Sequence, residues 1–449
     1  MSVQTLEDKI ALIGNPVDML RNAQTGPYVF PIKAEFSNWR DEQEAWRKSA
    51  VLLDQSLHMT DLYMEGPDCY RLLSNLAVNS FSNFGPMKAK QIVVCSQTGH
   101  VIGDSILFGL AENKVQIVGR PPTSNWIDFN AQTGHYDVKT WRDERSLQNP
   151  KERATYRFQV QGPTAGLIFE KVHGGPLPDI KFFHIGEIKV GRYTVMALNH
   201  QMSGFPGYEL WGPANEGEAV KSILMDAGAE FDLKLGGARC YSTVAIESGW
   251  IPSPTPAIYS GEHMKPYRQW LTASGFEANA SIGGSFDSAR IEDYYQTPWD
   301  LGYDTLIKFD HEFIGRKALE QMAQQKHRRK VWLYWAKDDV LRVMGSMYNE
   351  GDTRFKYLDM PAAHYATLPL DKILKNGKLI GLSTYPVYSS NVRSWMSLCM
   401  VDEEHAVYGD EVSVVWGEPA GGTAKPVVER HLQTEIKATI RPKPFSQLK

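Results

Sequence analysis

The residues from Gly236 to Tyr259 restrict this chain more than any other stretch. They read Gly-Gly-Ala-Arg239-Cys-Tyr241-Ser-Thr-Val-Ala-Ile-Glu247-Ser-Gly-Trp250-Ile-Pro-Ser-Pro-Thr-Pro-Ala-Ile-Tyr259. Paired glycines permit a sharp backbone turn, and the three prolines after Trp250 cannot continue a helix. The stretch is therefore expected to be a rigid, irregular wall carrying Arg239, Tyr241, Glu247 and Trp250. Hydrogen-bonding groups beside an indole suit a flat polar heterocycle, bonded at its edge and stacked on its face. A buried structural corner with one Arg239–Glu247 pair accounts for the same residues.

A chain of 449 residues can bury a large core and divide into several domains. Forty-eight basic against 52 acidic side chains leave a net charge of −4, which excludes an electrostatic nucleic-acid binder. The basic run His327-Arg328-Arg329-Lys330 reads as a solvated helix end. Cys69, Cys95, Cys240 and Cys399 have no C-x-x-C spacing, so neither a disulfide frame nor a zinc site is expected. With no apolar run near membrane-spanning length and no signal-peptide pattern at the start, a cytoplasmic protein without a membrane partner is expected.

Local patterns predict an α+β chain. A helix is expected over residues 5–25, with Asn15-Pro16 as a fresh cap, followed by an extended loop at Gly26–Pro31 and a second helix capped by Asn38. Alternation predicts strands at 91–96, 101–110 and 114–119, the last running into Gly119-Arg120-Pro121-Pro122, with Thr123, Ser124 or Asn125 capping the next helix. Arg120 beside a helix N-terminus suits a carboxylate, although a surface ion pair uses the same residue type. His58 falls at a strand junction, where a structural histidine is the simpler reading. A strand at 156–161, a helix at 164–173, three strands between 186 and 212, and a helix at 216–228 follow. After residue 330 short strands near 330–336, 378–384, 395–401 and 411–416 predict a β-barrel or sandwich. The expected division is 1–335, a larger α+β region, and 336–449, a C-terminal β-barrel domain.

No G-x-G-x-x-G, Walker A, G-x-S-x-G or H-E-x-x-H motif occurs, which weakens dehydrogenase, nucleotidase, serine hydrolase and zincin readings. Instead, Val160-Gln161-Gly162-Pro163, Gly207-Tyr208-Glu209-Leu210, Gly237-Ala238-Arg239, Phe313-Ile314-Gly315-Arg316 and Gly409-Asp-Glu-Val resemble, in order and spacing, the aminomethyltransferase family typified by the glycine cleavage T-protein. Met19-Leu-Arg-Asn22, Glu35-Phe-Ser-Asn-Trp-Arg40, Val118-Gly-Arg120, Glu247-Ser-Gly-Trp-Ile-Pro-Ser-Pro254, Ile282-Gly-Gly-Ser-Phe286 and Ile291-Glu-Asp-Tyr-Tyr295 resemble its tetrahydrofolate-dependent aromatic O-demethylase branch, which acts on vanillate, syringate and 3-O-methylgallate. The resemblance implies a three-lobed folate-binding fold and transfer of a methoxybenzoate methyl to tetrahydrofolate, giving a phenol and 5-methyltetrahydrofolate. It implies small-molecule partners and no metal. T-proteins carry Gly-Gly-x-x-Asp-Asp where this chain has Gly99-His100-Val101-Ile102-Gly103-Asp104, so their catalytic first aspartate is replaced by Gly103.

That resemblance also assigns roles. His58 and Tyr241 occupy positions that contact the methoxy oxygen and would donate to it as it leaves, with Tyr241 alternatively orienting it. Arg120 would pair with the substrate carboxylate, and Tyr28, Phe30 and Trp126 would form the aromatic wall or position that arginine. Gln161, Glu209 and Trp250 match folate-contacting positions, and Arg239 and Glu247 are either ligands or a supporting pair beneath the site. Other readings are a glycine-cleavage aminomethyltransferase working with a lipoylated carrier, a demethylase of a chlorinated methoxybenzoate or a sulfonium compound, and a non-catalytic folate-binding protein.

Overall fold

The computed structural model describes residues 3–144, 153–202, 204–252, 254–351, 354–422 and 424–445, which leaves Ser253 of the proline-rich stretch outside the described residues. Three large sheets organise the chain. In the first, six strands lie in the order Leu233–Gly236, Ala50–Asp54, Thr155–Gln161, Gly207–Pro213, Tyr193–Asn199, Ile185–Val190. Only the first pair is parallel. Side chains alternate across a strand, so Phe158 and Val160 pack beneath Ile168 and Phe169 of helix Ala165–His173, while Arg157, Gln159 and Gln161 face the opposite way. Val51 and Leu53 share that opposite face with Trp46 and Tyr241, which fixes the helix Ala238–Tyr241 against the sheet.

The second sheet is antiparallel throughout, in the order Ala89–Cys95, Val101–Ala111, Lys114–Gly119, Thr60–Glu65, Lys139–Asp143. Helix Pro121–Thr133 crosses one of its faces. The third sheet is a closed barrel of six strands, Arg328–Trp335, Ser394–Asp402, Lys378–Ser389, Asp371–Lys375, Glu411–Trp416 and Thr434–Arg441. Closure leaves no free edge. Trp335, Trp395 and Trp416 fill its core. Each indole withdraws roughly 200 Å² from water, about 5 kcal/mol at 25 cal/mol per Å² before the cost of ordering it.

The α+β class and the β-barrel are as expected. Differences are local. Residues 5–25 form two helices, Leu6–Ile13 and Pro16–Arg21, because Gly14 adopts a left-handed φ of 87° and the Asn15 side chain caps Val17. The Asn38 cap forms as expected. Arg328, Arg329 and Lys330 begin a barrel strand and do not end a helix, since their backbones pair with Asp402, Val401 and Met400. That first barrel strand lies on the N-terminal side of residue 336. The Gly236–Tyr259 wall is built from two short helices, Ala238–Tyr241 and Val244–Ser248, before the prolines.

Candidate active site

All three sheets contribute to one cavity of about 380 Å³. Glu209 and Gln55 come from the first, Asp104, Ile106, Val118 and Arg120 from the second and its following turn, and Thr384 and Tyr385 from the barrel, with His364 from the loop before it. Tyr28 and Phe30, in the extended loop ahead of Asn38, close another side.

His58 sits in the turn between Ala50–Asp54 and Thr60–Glu65, and Tyr241 ends its short helix. The two meet with Tyr241 Oη and His58 Nε2 2.9 Å apart. Gln55 Nε2 donates to the same hydroxyl at 3.2 Å, and Tyr28 Oη donates to the His58 carbonyl at 3.4 Å. Phe30 lies edge-on to both rings, with centroids 5.2 and 4.7 Å away, and holds them without a polar contact of its own. Burial pushes the Tyr241 phenol well above its ordinary value of 10.0, against the Gln55 hydrogen bond that lowers it. It is a proton donor at any neutral pH.

Arg120 occupies the cap position of helix Pro121–Thr133. The helix starts earlier than the expected Thr123–Asn125 because Pro121 and Pro122 are pre-organised for its first turn. Neither proline has an N–H, so the helix end offers fewer backbone donors than expected and the guanidinium supplies most of the positive end of this wall. Nη1 of Arg120 donates to the Pro252 carbonyl at 2.7 Å, and the guanidinium lies 6.0 Å from the Phe276 ring centre.

On the wall formed by the first sheet, the buried Glu209 accepts from Arg157 through Oε1. Its Oε2 lies 3.7 Å from His200 Nδ1, outside hydrogen-bond reach, and that nitrogen has no hydrogen-bond partner among the described residues. Burial pulls the His200 pKa down, although Glu209 opposes the shift. A carboxylate with one oxygen held by Arg157 and the other beside an unpartnered ring nitrogen can accept from the N–H edge of a polar ligand. Trp250 flanks this region, its indole N–H donating to Asp104 Oδ2 at 2.9 Å.

Seven of the expected site residues thus line one cavity: His58, Tyr241, Arg120, Tyr28, Phe30, Glu209 and Trp250. The other four do not line it. Trp126 is buried in the core, 4.9 Å from Tyr267 between ring centroids. Gln161 is fully buried and acts at one remove, its Oε1 accepting from the Met202 N–H at 3.1 Å and so shaping a loop that does line the cavity. Among the described residues Arg239 and Glu247 make no pair. Arg239 binds Glu35 at 2.7 Å and the Met360 carbonyl at 2.6 Å, whereas Glu247 accepts from Trp46 at 2.8 Å and Ser389 at 2.7 Å. These groups join the segment to the barrel and the Trp39–Lys48 helix.

Other lining residues, among them Gln55, Asp104, His200, His364 and Tyr385, had no site role assigned from the sequence. Asp104 stands next to Gly103. A Cβ added at Gly103 would lie 2.6 Å from Thr123 Oγ1, so position 103 faces helix Pro121–Thr133, and the neighbouring carboxylate faces the cavity. The wall therefore keeps an acid. Gln91, Trp250 and Tyr303 all donate to its Oδ2, at 2.9, 2.9 and 3.2 Å, and burial raises its pKa against those bonds.

A closed barrel joined to two mixed α+β bodies around one polar and aromatic cavity is the aminomethyltransferase architecture. The crystal structure of the glycine cleavage system aminomethyltransferase T from Bartonella henselae matches with a TM-score of 0.61 over 95% of both chains, at 16% identity. The model of the GCVT N-terminal domain matches residues 20–253, and the chain belongs to that family. Among its relatives, syringate O-demethylase from Sphingobium sp. (strain NBRC 103272 / SYK-6) is 49% identical over 99% of this chain and 96% of its own length. Sesamin methylene transferase from Sinomonas sp. (strain No.22) is 27% identical over 87% of this chain and 84% of its own. The aminomethyltransferase of Lysinibacillus sphaericus (strain C3-41) is more distant, at 24% over 87% of this chain and 88% of its own.

Proposed function

We propose that this chain is a tetrahydrofolate-dependent O-demethylase that moves the methyl group of a syringate-like methoxybenzoate to the folate, releasing a phenol. The observation that carries the reading is the His58–Tyr241 hydrogen bond at 2.9 Å on the wall of a cavity that also holds Arg120 and Glu209. Near-full-length similarity to syringate O-demethylase supports it.

A methyl group carries no charge to grip, so the protein must align donor with acceptor and stabilise the departing oxygen. Tetrahydrofolate, when bound, supplies the nucleophilic nitrogen that accepts the methyl. Glu209 would accept hydrogen bonds from its N–H edge and Trp250 would flank it, while Gln161 holds Met202 of the neighbouring loop. A phenolate has a conjugate-acid pKa of about 10 and leaves poorly without a donor. The Tyr241 hydroxyl, held protonated by burial, donates to the ether oxygen as the carbon–oxygen bond breaks, and His58 Nε2 is placed to orient that hydroxyl or exchange its proton. Arg120 pairs with the ring carboxylate, and Tyr28 and Phe30 hold the His58–Tyr241 pair. Trp126 supports the Arg120 helix from the core. Asp104, already engaged by three donors, fixes the Trp250 indole.

The test is incubation of the purified chain with tetrahydrofolate and, separately, syringate, vanillate and 3-O-methylgallate. Equal amounts of 5-methyltetrahydrofolate and free phenol are expected from at least one substrate. Methyl transfer from none of them, with transfer from a lipoylated aminomethyl carrier or a sulfonium donor, overturns the reading.

A further inference from the structure

We propose that His364 is a specificity-determining residue whose Nε2 joins Arg120 in a two-point clamp on the substrate carboxylate, with the Tyr385 ring as its platform. The proposal rests on the reading that the cavity takes a methoxybenzoate.

Tyr385 has an unusual backbone. It lies at a bulge in strand Lys378–Ser389, where pairing with the neighbouring strand shifts between Thr384 and Val387, and its φ is +59°. Left-handed backbone is unfavourable for a bulky residue, and such positions persist where surrounding structure enforces them. Bulges redirect side chains. Here the bulge carries Tyr385 into the cavity, and its hydroxyl donates to the Ser242 carbonyl at 2.8 Å, next to Tyr241.

The same bulge seats His364. Ala363 N–H donates to the Pro386 carbonyl at 3.0 Å and Tyr388 N–H to the Pro361 carbonyl at 2.7 Å, which pins the approaching loop on both sides of the bulge. His364 then stacks on Tyr385 with ring centroids 3.9 Å apart and planes 29° from parallel. Its Nε2 is buried and has no hydrogen-bond partner among the described residues, although the ring lines the cavity. Burying a polar nitrogen without a partner is costly, and a ligand atom removes that cost. The ligand chemistry follows from the neighbour. Arg120 lines the same cavity, and its positive charge acts on His364. A group that satisfies an N–H donor beside a guanidinium is an anion with two acceptor oxygens, and a carboxylate meets that description. With Pro121 and Pro122 removing backbone donors from the helix end, the second donor comes from a side chain.

The test compares syringate with 2,6-dimethoxyphenol, which differ only by the carboxylate, in the natural chain, His364→Phe and His364→Gln. Phenylalanine keeps the stack without the donor, and glutamine keeps an N–H. The ratio of kcat/KM for syringate over 2,6-dimethoxyphenol is expected to fall about tenfold or more in H364F, the size of one hydrogen bond to a charged group, and less in H364Q. An unchanged ratio in both variants overturns the clamp. Calorimetric titration with syringate and 2,6-dimethoxyphenol reads the same contrast without turnover. Absence of methyl transfer by the natural chain would sink the activity, while loss of the affinity difference in H364F would still support the clamp.

Discussion

Replacing Tyr241 by phenylalanine removes one oxygen and little else. The ring keeps its contact with Phe30 at 4.7 Å, and Gln55 Nε2 retains Met202 Sδ at 2.9 Å as a neighbour, so the loss of stability is about 1 kcal/mol, the net value of one hydrogen bond. The effect on rate is larger. The departing phenolate loses a buried, protonated donor, and removing one such donor from a developing oxyanion lowers kcat by about 10²- to 10³-fold, or 2.7–4 kcal/mol. Because the hydroxyl acts on the breaking bond, KM for the methoxybenzoate should stay within about threefold, as expected when a transition-state contact alone is lost. His58→Ala should fall in the same range. The double variant should be little worse than either single one, since groups sharing a 2.9 Å hydrogen bond act as a unit. Single-turnover formation of 5-methyltetrahydrofolate at saturating folate measures this directly. A Tyr241→Phe rate within fivefold of the natural chain, or fully multiplicative losses in the double variant, would refute the argument.

Two further outcomes follow from the charges around the cavity. Arg120→Ala should raise KM for syringate about ten- to a hundredfold and leave kinetics with 2,6-dimethoxyphenol much less affected, whereas equal losses on both would assign Arg120 to holding Pro252 in place. Burial, helped by the Arg120 charge, lowers the His364 pKa from 6.5 to about 3. The unfolded chain therefore takes up a proton below pH 6.5 that the folded chain refuses until about 3, and stability falls as pH drops through that window. At pH 5 this single group accounts for about 2 kcal/mol, from 1.36 kcal/mol per pH unit. The loss of Tm between pH 7.5 and 5 should accordingly be smaller in His364→Phe, and an identical loss would contradict the assignment.

Much of the architecture was legible because short-range chemistry declares it. Asn15 and Asn38 announce helix starts, and two-residue alternation marks the strands of the second sheet. Long-range residues were less legible. His58, Arg120, Glu209 and Tyr241 were placed by resemblance across the whole chain, and nothing in their immediate neighbourhoods says that they share a cavity. Of the two roles open to Trp126, the wall is not met, since its indole is buried in the core against Tyr267. Gly103 stands where the T-protein aspartate is expected, and the acid that lines this cavity is its neighbour Asp104, a step that no local pattern marks. Arg239 and Glu247, open between ligands and a supporting pair from the sequence, each take their partners from other elements. His364 and Tyr385 reach the cavity only through a bulge and a pinned loop in the barrel, more than a hundred residues after the wall they face.

The contact of Gly103 with Thr123 also limits how the chain can be re-engineered. Restoring an aspartate there would bring its Cβ within 2.6 Å of Thr123 Oγ1 and 3.3 Å of the Thr123 backbone nitrogen, so the threonine side chain has to turn away before the new residue fits beside the helix that begins directly after Arg120. An acid at position 103 is therefore best paired with a smaller residue at position 123, one change on the strand and one on the helix.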